Sequence, residues 1–159
     1  MNLQELGAYK QTFLSKLRTS SEVKEILLGN DYDEEIVDEI LDKHIFPFLY
    51  IPDTQTEEKT YVCVDVVVPQ TLNFSIKNLK IIIYVFCHKY LMKYKKAGQI
   101  GTRTDILSNI IDEKLNGSRE FGIGRLALQS VELFMSEKTY YGRILTYSAS
   151  DFNTDKKIN

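Results

Sequence analysis

Between Gly101 and Phe152 the chain reads as one ordered unit: a capped amphipathic helix, a glycine-punctuated loop and two long strands. Thr102 or Thr104 can supply the N-cap hydroxyl, Asp105 falls in the first turn where a carboxylate suits the helix dipole, and Asn116-Gly117 is a strong stop. Ile106, Leu107, Ile110, Ile111 and Leu115 recur at helical spacing, which predicts a helix from Thr104 to about Leu115 lying on a sheet. Asp105, Asn109, Asp112 and Glu113 fall largely off that stripe. After the loop 118–124, the run from Leu126 to Phe134 alternates as a strand does. Glu137-Lys138 is the expected turn, and Thr139 to Tyr147 returns as an aromatic, β-branched partner.

Upstream, Leu3, Leu6, Phe13, Leu14 and Leu17 predict a first amphipathic helix, ended at Thr19-Ser20-Ser21. Ser20 or Ser21 caps a second that runs to Leu28, and a third is expected from Asp33, with Ile36, Val37, Ile40 and Leu41 on one face. The segment Ile45 to Pro52 is apolar but broken by two prolines, so it suits an extended stretch better than a central strand. Tyr61 to Val68, ended by Pro69, and Ile81 to Phe86 are apolar runs of buried-strand type. The short polar link between them implies a hairpin.

The expected fold class is therefore α+β: a four-stranded antiparallel sheet with a helix packed on it and a helical N-terminal region. At 159 residues this makes a single domain. Residues 1–43 form its helical part, 44–153 its α+β core and 154–159 a flexible tail. No signal peptide or membrane-length apolar run is visible, so the expectation is a soluble protein made in the cytoplasm. In that compartment Cys63 and Cys87, both set in apolar runs, are expected to be free thiols.

Charge is unevenly spread. Residues 1–60 carry 6 Lys/Arg against 13 Asp/Glu, while residues 61–159 carry 14 against 9. The acidic run Asp31, Asp33, Glu34, Glu35, Asp38, Glu39 and Asp42 is either a solvated helix face or one half of a contact between copies with opposite surfaces.

Catalytic signals are sparse. The two histidines, His44 and His88, lie in no motif, and adjacent residues such as Cys87-His88 on a strand face opposite ways, against shared chelation. The pair Gly122 and Gly124 lacks the third glycine and following helix of a phosphate loop. Asp105 and Asp112 resemble part of a Holliday-junction resolvase pattern, which would make a Mg²⁺-dependent nuclease, but the further acids and lysine of that pattern are missing. No enzyme activity, metal or cofactor is expected. The loop residues Lys89, Lys93, Lys95 and Lys96, interleaved with Tyr90 and Tyr94, are either solvated or positioned to touch phosphates. Tyr140, Tyr141 and Arg143 are either interface anchors or ordinary sheet packing.

Taken together, Gly101-Thr102-Arg103-Thr104-Asp105, Ile111-Asp112, Leu115-Asn116-Gly117, Phe121 to Leu126, Tyr141 to Tyr147 and Asp151-Phe152-Asn153 resemble the neck and tail-completion proteins of long-tailed bacteriophages, especially tail terminators. The resemblance covers roughly residues 45–153. It implies a hexameric ring in the virion, at the head-tail junction, with the tail-tube protein and head connector as partners and no catalysis. A head-closure or adaptor role in the same neck remains open because of the long acidic N-terminal region, and a regulatory binding module remains a further alternative. Under this resemblance Tyr140, Tyr141, Arg143, Arg103, Asp105 and Arg125 are the candidate subunit or partner contacts. Lys93, Lys95 and Lys96 would face the channel, where non-specific DNA contact is possible, or a partner surface.

Overall fold

A computed structural model describes residues 3–29, 32–54 and 56–153. The expected tail at 154–159 and Asp31 of the acidic run lie outside these residues.

The α-helices and long strands follow the expected order, with a short 3-10 turn at Lys89–Leu91 and one further strand added. Helix α1 spans Gln4–Arg18 and α2 spans Ser21–Leu28, whose N-cap Ser20 accepts a hydrogen bond from the Val23 amide. The third helix, α3, is shorter than its apolar spacing suggests, covering only Val37–Leu41. The Asp33 carboxylate instead accepts from the Glu35 amide, a local turn that competes with helix. Of its expected apolar face, Leu41 is buried and Ile36 stays exposed.

The sheet has five strands rather than four, in the order β1-β2-β3-β5-β4. The addition is β1, Ile45–Phe46, which runs parallel to β2 (Thr60–Thr71) and is joined to it by a bond from the Val62 amide to the His44 carbonyl. Pro47 and the following Pro52 end the pairing there, so the expected extended segment contributes two residues to the edge. The remaining pairs, β2 with β3 (Ile76–His88), β3 with β5 (Tyr140–Phe152) and β5 with β4 (Ile123–Ser136), are antiparallel. Pro69 does not end β2; it sits where the register slips between Val67 and Gln70, a place that needs no ladder N–H. At the β4–β5 turn Glu137 and Lys138 have φ of 53° and 58°, a left-handed pair closed by the bond from the Thr139 amide to the Ser136 carbonyl.

Helix α4 spans Arg103–Leu115, and Thr102 and Asp105 complete a capping box at its start. All five predicted stripe residues are buried, facing Val62, Val64, Ile81, Ile83, Val85 and Leu145 across the helix-sheet interface. This is the main core, shared with Phe13, Leu14 and Leu17 of α1 and Val23, Ile26 and Leu27 of α2. A second, smaller cluster lies on the other face of the sheet, where Tyr61, Cys63, Phe86 and Tyr140 are covered by Phe46, Tyr50 and Phe134. Its rings pack in tilted and edge-on pairs, such as Phe86 with Phe134 at 4.8 Å and Tyr61 with Tyr140 at 6.1 Å.

Burial settles the thiol chemistry. Cys63 and Cys87 are free and buried, and burial pushes both thiols up to about 12, despite the Tyr50 backbone bond at Cys63 and the Arg103 charge near Cys87. Neither is expected to react with a disulfide reagent at neutral pH in the native protein, and both should react once urea unfolds it. Fast stoichiometric labelling of the native form would contradict the packing described.

Candidate functional site

The residues nominated from the sequence divide into internal fasteners and exposed surface. Asp105 and Asp112 are fasteners. They lie seven residues apart, about two helical turns, and so share the side of α4 that faces β5. Asp105 receives the Arg143 Nε at 3.1 Å and the Thr102 amide at 3.1 Å, while Asp112 receives the Tyr147 hydroxyl at 2.7 Å. Both acids lie beside the buried stripe, as expected, but neither points freely to solvent: each is half-buried and bonded through its side chain. Burial and the bond to Asp112 push the Tyr147 phenol far above its ordinary range. Among the described residues, no group of three or more His, Cys, Asp or Glu side chains is placed to hold a metal ion.

Desolvation pulls the Asp105 carboxyl upward, but hydrogen bonds from Thr102 and the charge of Arg143 outweigh it and hold the group below its ordinary value. A depressed folded value contributes stability in full above the unfolded value of about 4 and loses it as pH falls through the folded value. The melting temperature of the protein should therefore fall on acidification below about pH 4, with less of that fall in Asp105→Asn. Parallel acid profiles for the two proteins would remove Asp105 from this role.

Arg103 is also internal. Its guanidinium donates to the carbonyls of Leu91 and Ile26, both at 2.8 Å, and lies 4.2 Å from the Tyr94 ring centroid. These contacts tie the lysine-bearing loop around Leu91 and Tyr94 to α2 and to the start of α4. Lys96 pairs with Glu25 at 3.3 Å, whereas Lys93 and Lys95 are exposed and line an open pocket of about 440 Å³ with Met92, Tyr94, Gly101 and Thr102.

Tyr140 corrects the sequence reading. It is 0% exposed, its ring is in the smaller cluster and its hydroxyl donates to the Glu57 carbonyl at 3.0 Å, so it has no surface to offer another subunit. Its neighbours Tyr141 and Arg143 point to the helix side of the sheet and are half-exposed, and Arg125 on β4 is exposed.

The surface that the sequence reading missed is apolar. β4 is an edge strand of 14 residues, and Val131, Leu133 and Met135 stand exposed in alternation on its helix side, with Leu133 79% exposed and paired with Arg143 of β5. At the opposite edge, just past β1, Phe48, Leu49 and Ile51 are exposed, Phe48 at 52%. Two further side chains stand almost fully in solvent: Phe74 (97%) at the β2–β3 hairpin tip, and Ile100 (98%) in the loop before α4, at the other end of the sheet. The alternation of β4 was legible, but it could not show that α4 packs over β3 and β5 rather than over β4.

The molecule is thus an α+β protein whose nominated polar residues mostly serve its own packing and whose apolar surplus lies around its perimeter. The chain belongs to the YomW family, whose model matches residues 16–149, a family associated with phages and prophages. No curated protein matches the chain.

Proposed function

We propose that this protein is a structural component of a tailed phage or prophage particle, closing into a hexameric ring at the head-tail junction that completes the tail and joins it to the connector. The observation that carries the reading is the distribution of exposed apolar side chains: both edges and both ends of one rigid sheet. A ring subunit must meet a neighbour on each side and a different protein above and below, which calls for such surface at four places. A small-molecule site would instead gather apolar and polar groups into one enclosed cavity.

In this reading the sheet sets the angle between subunits, Phe74 and Ile100 are anchors for the axial partners, and Lys93 and Lys95 present positive charge to the channel or to a partner. Family membership supports the phage setting. Labelled antibody against the protein, viewed on intact particles by electron microscopy, is expected to mark a single band between head and tail. Label along the tail shaft, or on no assembled particle at all, would overturn the proposal.

A further inference from the structure

We infer that Asn116-Gly117 is a latent modification site: intact, it closes the first half of the β4 edge, and conversion of Asn116 to isoaspartate opens that edge. Three hydrogen bonds join the end of α4 to the outer side of β4. The Gly117 amide donates to the Leu126 carbonyl at 2.7 Å, the Leu126 amide to the Ser118 carbonyl at 2.8 Å, and the Leu128 amide to Asn116 Oδ1 at 3.2 Å. Residues 116–118 thus stand where a sixth strand would begin, covering backbone groups that otherwise offer a template to another chain. These bonds depend on one conformation. Gly117 has a φ of 82°, in the region that favours glycine, and the Asn116 amide is itself held by the Asp112 carbonyl at 2.9 Å.

The same dipeptide is the chemical weak point of the segment, and it is the one Asn-Gly pair in the sequence. Asparagine before glycine deamidates readily because no side chain on the second residue hinders attack. The Gly117 nitrogen gives its proton to a base and bonds to Asn116 Cγ, the bond from Cγ to the side-chain nitrogen breaks, and ammonia leaves. Water then opens the five-membered imide at either carbonyl, giving aspartate or isoaspartate. The net change is amide plus water to carboxylate plus ammonium. In the native fold both reacting groups are engaged: the Gly117 proton lies on the Leu126 carbonyl, and the Asn116 side chain, although exposed, is fixed by the Leu128 amide. Reaction therefore waits for local opening of this segment. Aspartate at 116 keeps a side-chain acceptor in the same place. Isoaspartate adds a carbon to the backbone, which carries Gly117 out of register with Leu126 and strands the backbone groups of Leu126 and the amide of Leu128.

The test uses the full-length wild-type chain, incubated in mildly alkaline buffer both native and in urea, with peptide mapping of the mass and negative charge gained at Asn116. The native protein should deamidate there at least about tenfold more slowly, as reaction through local opening requires. Equal rates would overturn the inference. The aspartate and isoaspartate products formed in urea are then separated, refolded and compared by amide hydrogen exchange. The isoaspartate form should lose protection at Leu126 and Leu128 by at least about tenfold, with the amides of the β3–β5 ladder unchanged, and the aspartate form should keep it. Wild-type protection at these two amides in the isoaspartate form would show that the edge stays closed and overturn the switch. An isoaspartate form that fails to refold beside an aspartate form that folds would overturn it too, because the damage would then be global rather than confined to the edge.

Discussion

Replacing Lys77 by alanine is expected to cost about 3–5 kcal/mol, the range for removing one partner of a buried ion pair. Lys77 lies on β3 and is 0% exposed. Its three ammonium hydrogens have three acceptors: Glu5 of α1 at 3.1 Å, the Phe152 carbonyl at 2.8 Å and Asp151 at 3.3 Å. Asp151 also receives the Tyr9 hydroxyl at 2.8 Å and its neighbour's amide, so α1, β3 and the end of β5 are joined through one polar knot. Without the lysine, the nearly buried Asp151 carboxylate loses its counter-charge and the Phe152 carbonyl its donor. Domains of this kind are stable by only about 5–15 kcal/mol, so urea unfolding followed by circular dichroism will show the loss clearly. Adding Asp151→Asn should recover part of it, because the stranded charge is then removed. A loss under about 1 kcal/mol for Lys77→Ala would mean that the knot is solvated and does not hold α1 in place.

Gly142→Ala should be as damaging, for a steric reason. A Cβ at Gly142 would lie 1.8 Å from the Val85 carbonyl oxygen and 2.7 Å from the Phe86 Cα, both backbone atoms of the neighbouring strand. No rotamer change relieves such a contact, so β3 and β5 must separate at the centre of the sheet. The Phe86 and Phe134 rings pack against each other on the two strands that flank Gly142, and the small cluster around Tyr61 and Tyr140 depends on that register. A cost at or above about 3 kcal/mol is expected, the upper end for forcing a methyl group into a packed interior. Expression of a soluble, cooperatively melting Gly142→Ala protein with wild-type stability would contradict the close approach.

These two residues mark where sequence reasoning stops. The order of elements, the apolar stripe of α4, the Ser20 and Thr102 caps and the Glu137-Lys138 turn all follow from local chemistry, which acts over a few residues and is visible as spacing. Lys77, by contrast, reads as one of several polar residues at the start of β3; the groups that make its burial tolerable lie 72 and 75 positions away in the chain. β1 escapes notice because two residues have no periodicity. Tyr140 and Tyr141 look alike in a strand, and only the presence of a second cluster beneath the sheet, built partly from Phe46 and Tyr50, decides that the first is interior. Asp105 and Asp112 invite a metal reading because acids seven apart share a helix face; here the basic and hydroxyl groups of β5 occupy that face.

The apolar perimeter is the part of the molecule that its own packing leaves unexplained, and assembly accounts for it. The solution mass of the purified wild-type chain, measured by light scattering over a range of concentration at low and high salt, tests this most directly. The account predicts a mass that rises from the 18.4 kDa of a single chain toward a hexamer as concentration increases, with high salt weakening the approach but not abolishing it. A mass fixed at 18.4 kDa under every condition would contradict it.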